Sequence, residues 1–300
     1  MAIWLFQFDW QEEQVSFRDI LVVLRAYPAT TPASAVEHAA AVAFALKARV
    51  SVIACGVKPR VPRSILGNAI FDVSALVAEE GRKSADDAQR LLGAFEKMAI
   101  KYRMACKRII ETCRSSDVPR ILTDHARLRD LTILPIPEGT YVSQLDAQWY
   151  VETVIFDSGH PVIVLPQDRK SAEPVAFDSV MVAWDKSRAA SRAIADAMPM
   201  LRVAKRVLLL TVHGEKPIVS KRTGAELAEH LALHGVDVVL KEVDAAGRTI
   251  GKVLEDEVGA NRIDLLVMGA YGRSRLTEFI LGGATKSMLT HPPTALFLSH

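Results

Sequence analysis

The chain has 300 residues, 50% hydrophobic and 24% charged, a composition that excludes a disordered chain and a length that suits two domains of roughly 150 residues each. A formal net charge of +2 leaves no basic excess for a phosphate backbone, so no nucleic-acid partner is expected. Three cysteines, Cys55, Cys106 and Cys113, form a sparse, odd set in apolar surroundings. They argue for a reducing compartment, read as the cytoplasm, and for thiols acting as small buried hydrophobes.

From the amino end, Met1 to Trp10 is apolar but short. It lacks a basic start and is followed by Glu12 and Glu13, so it does not read as a signal peptide. Trp4, Phe6, Phe8 and Trp10 alternate as in a strand or clip. Residues 1–16 are therefore expected as an extension packed on the body, with a partner-binding arm as the alternative. Strands are expected over Asp19–Leu24, Val50–Cys55, Lys107–Cys113, Leu131–Pro135 and Val162–Leu165, and again over Ser179–Trp184, Arg206–Val212, Val236–Val243, Leu265–Gly269 and Ala295–Ser299. Runs this apolar predict strands buried on both faces, hence parallel sheets covered by helices. Between them lie helical stripes: Val36, Ala40 and Ala43; Ala85, Ala88, Leu92, Phe95 and Ala99; Ala190, Ile194, Met198 and Leu201. Thr249 stands as the N-cap of a helix over Ile250 to Asn261. No apolar run reaches about 18 residues, so no transmembrane helix is expected.

The same order of strands and helices occurs twice. Phe17–Arg25 aligns with Phe177–Asp185, and His160–Leu165 with Pro292–Phe297. The polar, proline-bounded stretch Pro166–Pro174 separates the copies. The expected organisation is an extension (1–16), a first domain (17–166), a linker (167–174) and a second domain (175–300).

The strongest local signal is Gly269-Ala270-Tyr271-Gly272, followed after nine residues by Gly282-Gly283-Ala284-Thr285. The first glycine ends a buried strand, where doubly wound sheets bind ligands. The second cluster opens a helix, whose end presents free N–H groups and partial positive charge. Together they suit phosphates, with Thr285 and Ser287 offering hydroxyls and Arg273 a positive charge. The plain alternative is tight turns and close helix packing.

This segment, 269–285, resembles the ATP-binding signature of the universal stress proteins, and the resemblance extends over both copies, roughly residues 17–300. It implies an α/β fold of two tandem five-stranded parallel-sheet domains, Rossmann-like and similar to adenine nucleotide α-hydrolases. It further implies that the two copies pair through their last strands, Val162–Leu165 against Ala295–Ser299; a homodimer is left open. By resemblance, ATP or a related adenine nucleotide, with Mg²⁺, is bound in the second domain. Asp185 holds the nucleoside, and Thr211 and Val212 line the adenine pocket. Gly269, Gly272 and Gly282, with Gly283 after them, meet the phosphates. Where the family's ATP-binding form has Ser or Thr directly after the third glycine, this chain has Gly283, which removes one hydroxyl donor; Thr285 is placed to compensate. Counting back from the shared proline, the first copy has Pro137, Thr140 and Tyr150 at the glycine positions and Arg25 at the acidic one, so it is expected to bind no nucleotide in this manner.

Other chemistry is discounted. His230 and His234 could share a helix face, but no third metal ligand is visible. No Gly-x-Ser-x-Gly elbow occurs and no Walker lysine follows the glycines. Lys186 and Arg188 follow Asp185 and could reach phosphates, or be solvated residues at a helix start. No catalytic residue or metal site is expected. The functional expectation is a cytoplasmic stress-response protein whose nucleotide changes a surface read by a protein partner. The alternatives are a scaffold that has lost the nucleotide and, third, a slow ATPase.

Overall fold

The computed structural model describes residues 17–59, 73–137, 147–167, 175–214, 223–270 and 283–300. The first half runs β1 (Asp19–Leu24), α1 (Ala33–Ala45), β2 (Arg49–Lys58), α2 (Val73–Lys101), β3 (Cys106–Arg114), α3 (Val118–Ala126), β4 (Leu131–Ile136), α4 (Ala147–Ser158) and β5 (Val162–Pro166). The second runs β6 (Ser179–Ala183), α5 (Arg188–Leu201), β7 (Arg206–His213), α6 (Gly224–Leu233), β8 (Val238–Asp244), α7 (Ile250–Asn261), β9 (Leu265–Gly269), α8 (Gly283–Thr290) and β10 (Ala295–Ser299). The extension and most of the linker lie outside the described residues. Gln167, expected in the linker, is instead buried, and its side chain donates to the carbonyl of Pro135 at 3.2 Å.

The ten strands form one sheet in the order β3-β2-β1-β4-β5-β10-β9-β6-β7-β8. Every neighbouring pair is parallel except β5 and β10, which are antiparallel. Alternation along each strand sends side chains to two helix layers. Val22, Val52, Val182 and Leu209 face α1, α2, α5 and α6, where Val36, Leu92, Ile194 and Leu231 meet them. Leu21, Ile53, Met181 and Leu210 face α3, α4, α7 and α8, against Leu122, Val154, Leu254 and Met288. Helix starts follow local chemistry. Ser187 caps α5, Thr223 and Glu226 form a reciprocal capping box on α6, and Thr249 caps α7.

Burial on both faces holds for the inner strands but not at the rims. Ile110 on β3 and Val239 and Leu240 on β8 are exposed. These outermost strands have no neighbour beyond them and their helices cover them only in part.

The register also corrects the alignment of the two halves. Asp130, just before β4, accepts the backbone N–H groups of Arg18 and Asp19 at 2.7 and 2.9 Å, and Asp264, just before β9, accepts that of Ser179 at 2.9 Å. The two aspartates are therefore counterparts. Thr132 then pairs with Val162 as Leu266 pairs with Leu296. In the antiparallel pair Val162 meets Leu298, Ile163 meets Phe297 and Val164 meets Leu296. Ile163 and Phe297 are counterparts that face each other, and the flanking pairs Val162–Leu298 and Val164–Leu296 exchange under a pseudo-twofold axis between them. Alignment on Pro161 and Pro293 is thus two residues out. Gly269 corresponds to Pro135, not Pro137, and Tyr150 corresponds to Ala284, not Gly282. The prolines misled because each breaks the chain before its strand at a place set by loop length, whereas register is set by backbone hydrogen bonds.

Candidate functional site

In each half the strand order reverses beside the first strand: between β1 and β4, and between β6 and β9. The crevice beyond the carboxyl ends at such a reversal is where open α/β sheets take ligands. The two crevices are built differently.

In the second half a turn of four residues, Trp184–Ser187, joins β6 to α5. Asp185 is exposed, and its Oδ1 accepts the N–H of Ser187 at 2.9 Å. Lys186 takes a left-handed conformation, φ 62°. Ser187 Oγ then accepts the N–H of Ala190 at 3.0 Å. So short a turn brings the first turn of α5 down onto the end of β9. A Cβ on Gly269 would lie 2.4 Å from the backbone nitrogen of Ala190 and 2.6 Å from the carbonyl carbon of Ala189. Gly269 is therefore required by helix packing, and the plain reading of this glycine holds whatever binds in front of it. Pro135 is tolerated at the corresponding place because eight residues, Arg25–Pro32, separate β1 from α1.

Across the crevice, Gly283 opens α8, is exposed, and would meet nothing among the described residues within 4 Å if it carried a Cβ. Thr285, one turn in, is buried. Ser287 points elsewhere: its Oγ lies 2.5 Å from where a Cβ on Gly251 of α7 would be. That serine is taken up by the contact between α7 and α8 and is not a phosphate ligand. Val212, near the end of β7, is half-buried on the α7–α8 side together with Ala183 and Ala284. These three make an apolar wall next to Asp185 and the start of α8. Thr211 faces the opposite layer, with Oγ1 3.8 Å from a Cβ position on Gly224 of α6. Gly272, Arg273 and Gly282 lie outside the described residues.

Ala183, Ala284 and Trp184 were not singled out in the sequence. The indole Nε1 of Trp184, one residue before Asp185, is buried with no hydrogen-bond partner among the described residues. An aromatic residue at the carboxyl end of a switch-point strand was the available signal.

The first crevice is closed. Tyr150, in the first turn of α4, is buried and lines it with Arg25, Tyr27 and Cys55. The space left is about 20 Å³, room for little more than one water molecule. Arg25 stands where Asp185 stands in the other half, its Nε donating to the carbonyl of Ala29 at 3.0 Å.

Of the discounted candidates, Lys186 and Arg188 adjoin Asp185 at the second crevice, while His230 and His234 lie apart, on α6 and at its end. His230 and His234 stack edge to face, their ring centres 4.9 Å apart, and Arg202 donates to the carbonyl of His234. Among the described residues no group of three His, Cys, Asp or Glu could hold a metal ion, and no helix is long and apolar enough to cross a membrane.

No protein-family model and no curated protein matches the sequence. Solved structures do. A universal stress protein from Archaeoglobus fulgidus superposes with a TM-score of 0.64 at 15% identity, over 93% of this chain and 97% of its own. A protein of unknown function from Pseudomonas aeruginosa PAO1 superposes with a TM-score of 0.53 at 14% identity, over 95% of this chain and 93% of its own. Identities this low speak to fold alone. The order of strands, the two switch points and the superposition over nearly the whole chain agree that this polypeptide has the universal stress protein fold, built twice around one ten-stranded sheet.

Proposed function

We propose that the chain is a universal stress protein made of two such domains, 17–166 and 175–300, that binds ATP or a related adenine nucleotide in the second crevice only. The observation that supports this reading is the contrast between the crevices: Tyr150 fills the first, whereas α8 starts beside the second with an exposed Gly283 whose Cβ position meets no atom of the described residues within 4 Å. The residues present fit such a ligand. The start of α8 offers backbone N–H groups to phosphates. Ala183, Val212 and Ala284 offer an apolar wall to a base, and Asp185 offers a carboxylate to ribose hydroxyls. Gly272, Arg273 and Gly282 complete the phosphate loop by resemblance, with Mg²⁺ as the phosphates' counterion. Asp185 is assigned to the ribose rather than to a water, and hydrolysis is slow or absent. The nucleotide acts by altering a surface read by a protein partner in the cytoplasm.

The test is direct. Protein purified and then denatured releases adenine nucleotide, and stripped protein binds ATP with Mg²⁺ in calorimetry. Gly282→Val abolishes this binding. Absence of binding below the millimolar range would replace the reading with that of a nucleotide-free scaffold. Turnover lost in Asp185→Ala would replace it with an ATPase.

A further inference from the structure

The first crevice, closed to a nucleotide, carries a feature the second lacks. Cys55 on β2 and Cys113 on β3 are both buried and both face the α3–α4 layer. The strands are parallel neighbours in which Cys55 sits beside Glu111 and Val57 beside Cys113. The two side chains are thus diagonal neighbours on one face. Cys55 also lines the small cavity under Tyr150. Cys106, seven residues from Cys113 on the same strand, faces the opposite layer, as odd spacing on a strand requires.

We propose that Cys55 and Cys113 are a thiol-oxidation site, closed to an intramolecular disulfide by a hydroperoxide. Their environments divide the work. The neighbouring Cys55 thiol lowers the pKa of Cys113, with Arg120 adding to the effect against burial and the charges of Asp117 and Glu111. Cys113 and burial raise the pKa of Cys55, holding it as the neutral thiol. Cys113 is the attacking thiolate, since the thiolate is the nucleophile. Its sulfur takes the outer peroxide oxygen, the O–O bond breaks, and the alkoxide or hydroxide leaves and is protonated, giving a sulfenic acid on Cys113. Cys55 then attacks that sulfur; the S–O bond breaks, the S–S bond forms, and the hydroxyl departs as water with the Cys55 proton. The sum is two thiols and one peroxide to one disulfide, one alcohol or water, and one water.

On parallel strands about 4.8 Å apart with a rise of about 3.3 Å per residue, partners two residues out of register are about 8 Å apart at Cα, a separation that a disulfide spans only when the backbone moves. Closing the bond therefore draws the end of β3 toward β2. β3 can yield, because it is the outermost strand of its half. A disulfide made under strain is readily reduced again.

The experiment titrates the full-length chain with hydrogen peroxide, then counts thiols in denaturant and maps peptides by mass spectrometry. Free thiols fall from three to one, the chain loses two hydrogens, and the linked peptides contain Cys55 and Cys113. A dithiol reductant restores all three. Cys106→Ser retains the reaction, and Cys55→Ser leaves a Cys113 sulfenic acid that dimedone traps. The proposal is overturned if Cys106 is oxidised first, if the link joins two chains, or if Cys113 proceeds to sulfinic acid with Cys55 still free. If Cys55→Ser does not fold, the peptide map of Cys106→Ser decides alone.

Discussion

Gly269 and Gly283 belong to the same spaced motif but answer to different physics. At Gly269 a methyl group would collide with backbone atoms of Ala189 and Ala190, which cannot swing aside. Gly269→Ala is expected to cost about 1–3 kcal/mol of stability, the range for forced overpacking, read as a lowered urea midpoint; an unchanged midpoint would remove the packing account. At Gly283 no atom of the described residues lies within 4 Å of a Cβ position. Gly283→Ser meets no clash among them and supplies the hydroxyl that the resembled ATP-binding signature has at this place. A hydrogen bond to a charged group is worth about 1.5–3 kcal/mol, so ATP affinity should rise about tenfold or more by calorimetry. Equal affinity in the two proteins would mean that phosphates do not lie against the start of α8. The sequence alone could place both glycines at a strand end and a helix start, but not tell them apart. That distinction depends on how far α5 reaches, which the length of the turn after β6 decides.

Elements were more legible than their fit. The eight inner strands appear as largely apolar runs, because a strand buried on both faces has little polar alternation, whereas the rim strands β3 and β8 mix charged residues with apolar ones. The helix over Ile250–Asn261 was legible through Thr249, whose Oγ1 accepts the N–H of Lys252 at 3.2 Å. Illegible were contacts between elements distant in sequence: the pairing of Asp130 with the start of β1, which fixed the true register, and the packing of α7 on α8. The latter yields a prediction. Gly251 exists because Ser287 occupies the place its side chain would take, with Oγ and Cβ 2.5 and 2.6 Å from the would-be Cβ. Gly251→Ala is expected to destabilise by about 1–3 kcal/mol. The double substitution Gly251→Ala with Ser287→Gly, which moves the methyl group across the interface, should recover most of that loss in a denaturation cycle. Additive losses would show that the two residues do not share this space. A phosphate role for Ser287 predicts the contrary pattern, with nucleotide binding lost and stability unchanged.

For the whole molecule, the decisive junction is the antiparallel contact of β5 with β10. A last strand left at an edge offers its unpaired backbone to any other chain, and here each half covers the other's. The contact also ties the halves energetically. Phe297 is fully buried next to the pseudo-twofold axis, opposite Ile163, and its ring centre lies 6.2 Å from that of Phe17 in the first half. One aromatic side chain thus bridges the core of both halves on the α1–α5 side. The wild-type chain should unfold in urea as a single transition, with circular dichroism and tryptophan fluorescence superimposed. With Trp4, Trp10 and Trp149 replaced by Phe, Trp184 is the one remaining tryptophan and reports on the second half, close to its crevice; the fluorescence comparison is made in that background. Phe297→Ala should cost about 3–5 kcal/mol, as for other large core truncations. Because the lost contacts are those shared between halves, it should also part the two signals, fluorescence and dichroism no longer tracing one curve. A variant that is weaker but keeps coincident curves would place the coupling elsewhere along the β5–β10 seam, in the backbone ladder rather than the aromatic bridge. An adenine nucleotide held only in the second crevice should then raise the midpoint of the second half alone in the variant, and of the entire chain in the wild type, since a ligand stabilises whatever unfolds with its site.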